Sequence, residues 1–259
     1  MPDTPGARLT VGDFCQKIRG EVIPLNSHFS YFATSNPFGE EDVRDYLEDP
    51  IAALPPSVTA VLPKYTLLLV PFLEKANGKD RRDLSELIVF ERPADGRELR
   101  SVEWGEKSDH FAAFAVEEME LADYHFELYR RLAAATAVSC TPEQLQDYFG
   151  LLREELNTEV HGEVDDASWQ SKQGLLRRQK HVRRDTKAFR EYAMQSFIDT
   201  LTLYLHGICC DIDVEPGPRQ IPSRHLLRRL RLLQAMFPPP PGYAVFPDEL
   251  DQQQDNKPA

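Results

Sequence analysis

The sequence predicts an α+β protein, with a small antiparallel β-meander in the N-terminal half followed by a four- to five-helix bundle. Three features predict it. From Val58 the chain passes through short runs rich in β-branched and aromatic residues, separated by turn formers. After Gly105 the apolar residues take up helical spacing. Residues 186–210, TKAFREYAMQSFIDTLTLYLHGICC, are apolar nearly all round a helical wheel, as in a helix enclosed by others.

In chain order, residues 1–7 read as a loose tail. Residues 10–23 space Val11, Phe14, Cys15 and Ile18 along one face of a short helix that ends near Gly20. The HFSYF run within 26–38 alternates like a strand, and 40–47 predict an acidic helix that stops before Pro50. Four β-rich runs follow: VTAVL, YTLLLVPFLEK, ELIVFERP and ELRSVEW. Asn77-Gly78 and Ala94-Asp95-Gly96 supply turns between the later ones, and Pro71 predicts an edge position or a bulge.

Residues 108–135 predict a long helix. Thr141-Pro142-Glu143-Gln144 offers a capping threonine, a proline at the first helical position and a glutamine three residues after the cap, so a second helix should reach about His161. Asp165 to Ser168 can start a third, carrying Trp169 to Arg184 toward the central helix. Ser223 is read as the cap of a last helix through Met236. Pro238 to Pro241 then imposes an extended polyproline segment, and 248–259 read as a disordered polar tail. The predicted sections are therefore 1–105, 106–237 and 238–259.

With 41% hydrophobic and 28% charged residues the composition is globular. A net charge of −12 argues against a nucleic-acid-binding surface over the whole molecule. The charge is uneven: residues 172–234 hold 13 Lys or Arg against 6 Asp or Glu. Asp199 divides the central run into stretches too short to span a bilayer, so no membrane partner is expected. The four cysteines lack metal-ligand spacing and the N-terminus lacks a secretory pattern, which predicts a cytoplasmic protein.

Two patterns suggest chemistry. Glu118 and His125, Glu154 and His161, and Asp199 and His206 each place a carboxylate seven residues before a histidine, on one helical face. On the predicted wheels, Glu118, His125, Glu159, Asp199 and His206 face inward. Carboxylates and imidazoles projecting into a bundle are the ligands of iron or manganese centres. The plain alternative is a buried network of ion pairs without metal. The second pattern is the basic run Arg177, Arg178, Lys180, Arg183, Arg184, Lys187 and Arg190, followed by Arg224, Arg228, Arg229 and Arg231. It could hold an anionic partner or be paired internally by the acidic remainder.

Arg219 and His225, with five residues between them, are spaced as in HEPN-type helical ribonucleases, a resemblance that covers those two residues only. It implies RNA cleavage. No Gly-rich phosphate loop, HExxH or GxSxG is present. The leading expectation is a cytosolic binding or interaction protein whose basic helix contacts a protein or anionic ligand, with nucleic acid a less favoured partner. A metal-dependent bundle enzyme comes second and a HEPN-like ribonuclease third.

Overall fold

A computed structural model describes residues 8–34, 38–76, 85–106, 109–177, 185–210 and 217–246. The N-terminal elements are β1 (Leu9–Thr10), α1 (Val11–Ile18), β2 (Ile23–Pro24), β3 (Phe29–Ala33), α2 (Glu40–Val43), a π-helical turn (Arg44–Glu48), α3 (Asp49–Ala52) and α4 (Pro56–Val61). Next come β4 (Tyr65–Val70), β5 (Phe72–Lys75), β6 (Glu86–Val89), β7 (Glu98–Leu99), β8 (Ser101–Glu106) and β9 (Asp109–Ala115). Five helices follow: α5 (Leu121–Ser139), α6 (Pro142–Asn157), α7 (Asp166–Leu176), α8 (Lys187–Cys209) and α9 (Ser223–Met236). The class is α+β. The chain forms two units, one of Met1–Pro50 with Leu62–Glu127, the other of Ile51–Val61 with Leu128–Ala259.

The first unit carries two sheets. One is antiparallel, in the order β1-β6-β5-β7; the other is mixed, in the order β2-β3-β4-β9-β8. In the mixed sheet β3, β4 and β9 run parallel, with Tyr31 beside Leu67 and Leu67 beside Ala112. A central parallel strand is covered on both faces, which is why β4 reads Leu67-Leu68-Leu69-Val70 without alternation and buries all four. Pro71 falls between β4 and β5, where the chain leaves one sheet for the other, so its missing N–H interrupts neither ladder. Val11, Phe14, Cys15 and Ile18 of α1 join Leu68 and Val70 of β4, Leu73 of β5, Ile88 of β6 and Phe111 and Ala113 of β9 in one apolar core. Burying each of the larger of these side chains contributes roughly 1.5–3 kcal/mol.

Two expectations change. VTAVL is not a strand but lies in α4, which starts at Pro56, a residue suited to the first helical turn. Residues 108–135 are not one helix: His110 to Ala115 belong to β9, and α5 begins only at Leu121. HFAAFA has helix-compatible residues, but pairing with β4 on one side and β8 on the other overrides local propensity. To the expected antiparallel strands the mixed sheet adds the parallel pairs β3–β4 and β4–β9, which join strands far apart in sequence.

In the second unit α8 is the enclosed helix. Phe189, Tyr192, Phe197, Leu201 and Tyr204 on it are fully buried. Tyr148 Oη of α6 lies 2.7 Å from Thr200 Oγ1 and donates to Ser196 O at 3.0 Å, fastening α6 to α8. The predicted start of α6 is present: Thr141 Oγ1 accepts from Gln144 N and Gln144 Oε1 accepts from Thr141 N. After α9 the chain folds back on its own unit. Tyr204 donates to Phe237 O, Phe237 meets Phe197, and Arg231 lies over the Phe246 ring. Among the described residues, no helix is long and apolar enough to cross a membrane.

Candidate functional site

Arg229 of α9 is fully buried. Its Nε and Nη2 donate to Glu155 Oε2 at 3.0 and 2.6 Å, and its Nη1 and Nη2 to Glu163 Oε2 and Oε1 at 2.7 and 3.1 Å. Nη1 also donates to Ser196 Oγ at 2.9 Å. Glu163 accepts from Tyr192 Oη and lies 3.1 Å from Lys172 Nζ, which donates further to Val160 O and Gly162 O. The cluster thus contains two acids and two bases. Burial alone would raise the Glu163 carboxyl, but Arg229 and Lys172 outweigh it and hold it below the usual carboxylate range. Burial depresses Lys172.

Glu155 extends this cluster toward solvent. Its second oxygen, Oε1, is buried and makes no hydrogen bond among the described residues; His225 Nδ1 lies 3.8 Å from it. Arg224 Nε donates to His225 Nε2 at 3.1 Å. An arginine only donates, so Nε2 is the accepting nitrogen and the neutral ring carries its proton on Nδ1, facing Glu155. These groups line a cleft of about 440 Å³ between α6 and α9, together with Glu159, His161 and Arg228. Arg228 is paired with Glu154 at 2.5 Å. Among the described residues no carboxylate pairs with Arg224.

The position of Arg224 and His225 matters as much as their charge. Both lie in the first turn of α9, which follows Pro222, has no side-chain cap and has no acidic residue in that turn. The unsatisfied N–H groups and positive dipole end of a helix favour an anion there and disfavour a cation. Arg224 therefore adds positive charge where the backbone already supplies it.

A second groove, of about 290 Å³, runs beside the first and shares Glu159, Val160 and His161 with it. Its other walls include Leu156, Trp169, Gln173 and Leu176. The His161 ring stands edge-on to Trp169 at 5.1 Å, and its Nε2 lies 3.0 Å from Pro218 O. The shared loop is tightly specified. Glu159 and Gly162 are left-handed, at φ 54° and 83°, and a Cβ on Gly162 would meet Gln220 O at 2.2 Å. Glu163 N donates to Arg219 O, and Ile221 N donates to Glu163 O, locking the loop to the segment that leads into α9.

The five inward residues predicted as metal ligands divide between the units. In the first unit Glu118 is a left-handed turn residue paired with Arg92, because the helix that was to carry it starts after it. His125 Nε2 lies 2.8 Å from Asp45 O. In the second, Glu159 lies beyond the end of α6, since that helix closes at Asn157. Asp199 is buried between α7 and α8, accepting from Ser168 N at 3.0 Å and Gln195 Nε2 at 2.8 Å; burial raises its carboxyl. His206 packs edge-on against Tyr129. Among the described residues, Glu159, Asp199 and His206 do not gather into a metal-sized group.

Of the predicted anion-binding run, Arg178, Lys180, Arg183 and Arg184 lie outside the described residues. Arg177 is exposed at the end of α7. Lys187 is 3.7 Å from Glu191 and Arg190 is 3.8 Å from Asp185, so both have acidic neighbours. Arg219 pairs with Asp166 at 3.0 Å and does not line the cleft that holds His225. Glu155, Glu163 and Lys172 were missed in the sequence because their partners lie up to 74 positions away. The one visible signal was the excess of arginines near the start of α9. No protein-family model, curated protein or solved structure matches the chain.

Proposed function

We propose that the protein is a cytoplasmic binding protein and that its second unit holds a small ligand with an anionic group in the cleft between α6 and α9. The observation that carries this reading is Arg224. It stands at an uncapped helix N-terminus, it has no acidic partner among the described residues, and it is oriented through His225. Glu155 Oε1 supports it from the other side, as a buried acceptor that a hydroxyl of the ligand would satisfy.

The test is calorimetric titration with inorganic phosphate. A charge-assisted contact is worth about 1.5–3 kcal/mol, so Arg224→Ala should weaken binding by roughly ten- to a hundredfold. Equal affinity in the variant, or no binding to the native protein at millimolar phosphate, would remove the proposal.

His225 favours a second reading, acid–base chemistry on a phosphate ester, because its ring lines the cleft and a buried carboxylate lies 3.8 Å from its Nδ1. RNA cleavage lost in His225→Ala but kept in Arg219→Ala would support it. An intact RNA substrate after prolonged incubation would set it aside.

A further inference from the structure

We infer that the ligand of the α6–α9 cleft is a nucleoside phosphate, with its phosphate at Arg224 and its base in the adjoining groove beside Trp169. This rests on the anion-binding reading of the cleft and adds the chemistry of the rest of the ligand.

The two cavities share residues 159–161 as a common wall, and their linings differ in kind. Around α9 the groups are polar and charged: Arg224, His225 and the unsatisfied Glu155 oxygen. Beyond the loop they are those that receive a flat ring, with Trp169 beside Leu156, Val160 and Leu176. Leu176 is 38% exposed, a large apolar side chain left open at this groove. A ligand filling both must be charged at one end and planar and apolar-faced at the other.

The ridge between them supplies the middle of the same molecule. Glu159 lines both cavities, is exposed, and has no cationic partner among the described residues. A carboxylate at that point accepts the two hydroxyls of a ribose, as acidic residues do in dinucleotide sites. Gln173, on the α7 wall, offers both a donor and an acceptor to a base edge. Glu159 is left-handed and lies beyond the end of α6, in the loop that both cavities share. An aromatic wall, a ribose-type acceptor and an anion seat thus line two cavities of one unit that share residues 159–161.

The experiment compares four probes on the full chain carrying Trp104→Phe, so that Trp169 is the sole tryptophan emitter: AMP, adenosine, ribose 5-phosphate and inorganic phosphate. The expected result is quenching of Trp169 emission by AMP and adenosine, with AMP bound at least about tenfold more tightly than ribose 5-phosphate, as base stacking on an aromatic ring requires. Trp169→Leu should bring AMP down to the affinity of ribose 5-phosphate and leave the latter unchanged. Because Trp169 packs on His161, Leu176→Glu serves as a second variant at an exposed position, and should weaken AMP while sparing ribose 5-phosphate. If AMP and ribose 5-phosphate bind equally and the emission does not move, the nucleotide inference fails and the anion reading stands. If none of the four binds, both fail.

Discussion

Arg229 is a charged residue where a leucine would be expected. A buried ion pair gains little over an apolar substitute, because removing two charges from water costs nearly what their attraction returns, but removing one partner leaves the other stranded. Arg229→Met should therefore lower the unfolding free energy by about 3–5 kcal/mol, measured by urea denaturation at neutral pH. Glu163 predicts the pH response. Its folded carboxyl titrates below its ordinary value, so its contribution is complete above the usual carboxylate range and is lost as pH falls through the depressed value. Asp199 acts oppositely: raised by burial, it favours the fold most below its ordinary value and loses that effect as pH rises through the folded one. Glu163→Gln should lower stability at neutral pH and flatten its decline in acid, as read from melting temperatures between about pH 3 and 7. The buried ion-pair cluster was not legible residue by residue. Of the inward charges chosen from helical periodicity, Asp199 is buried, but Glu118 and Glu159 sit in left-handed turns, whereas Glu155 and Glu163 are recognisable only from the arginine they meet.

Helices α6 and α8 were legible because their signals are local, a capping box and an all-round apolar wheel, and the span of α9 was legible too, although Ser223 is its first residue and not its cap. Helix α4 was missed although its signal, Pro56 in the first turn, is local. Strand β9 was not legible, because what decides it is a neighbour distant in sequence: it is specified by pairing with β4, 45 positions earlier, and its own residues suit a helix equally well. The loop after α6 was illegible for a related reason, since a left-handed glycine shows its purpose only when the opposing backbone is seen. Gly162→Ala combines an unfavourable φ with a collision against Gln220 O. It should cost about 1–3 kcal/mol and, by pushing residues 217–221 off the loop, should weaken phosphate binding at the start of α9. Thermal melts with and without phosphate check both effects; a variant with native melting temperature and native phosphate affinity would show that the loop does not set the cleft.

For the molecule as a whole the class was visible, because periodicity reports helix and strand content, while the pairing of strands was not. Net charge was visible too, and it bears on binding. At −12 the protein repels an approaching anion at long range, and only the last few ångströms to Arg224 attract it. Raising salt from about 0.01 M to about 0.15 M shortens the screening length from roughly 30 Å to 8 Å and so removes the repulsion first. The association rate constant for AMP, followed by stopped-flow emission, should stay level or rise over that range. A tenfold fall would point instead to a broad basic surface.

The charge cluster at positions 155, 163, 172 and 229 also constrains how this sequence can drift. Its two acids and two bases cancel, so any single neutral replacement leaves a bare charge in the interior of the second unit, and selection against that loss acts on whichever partner remains. In descendants of this gene the four positions should change in opposite-sign pairs, or all together for apolar residues. A lineage carrying three of the four charges should be a short-lived intermediate.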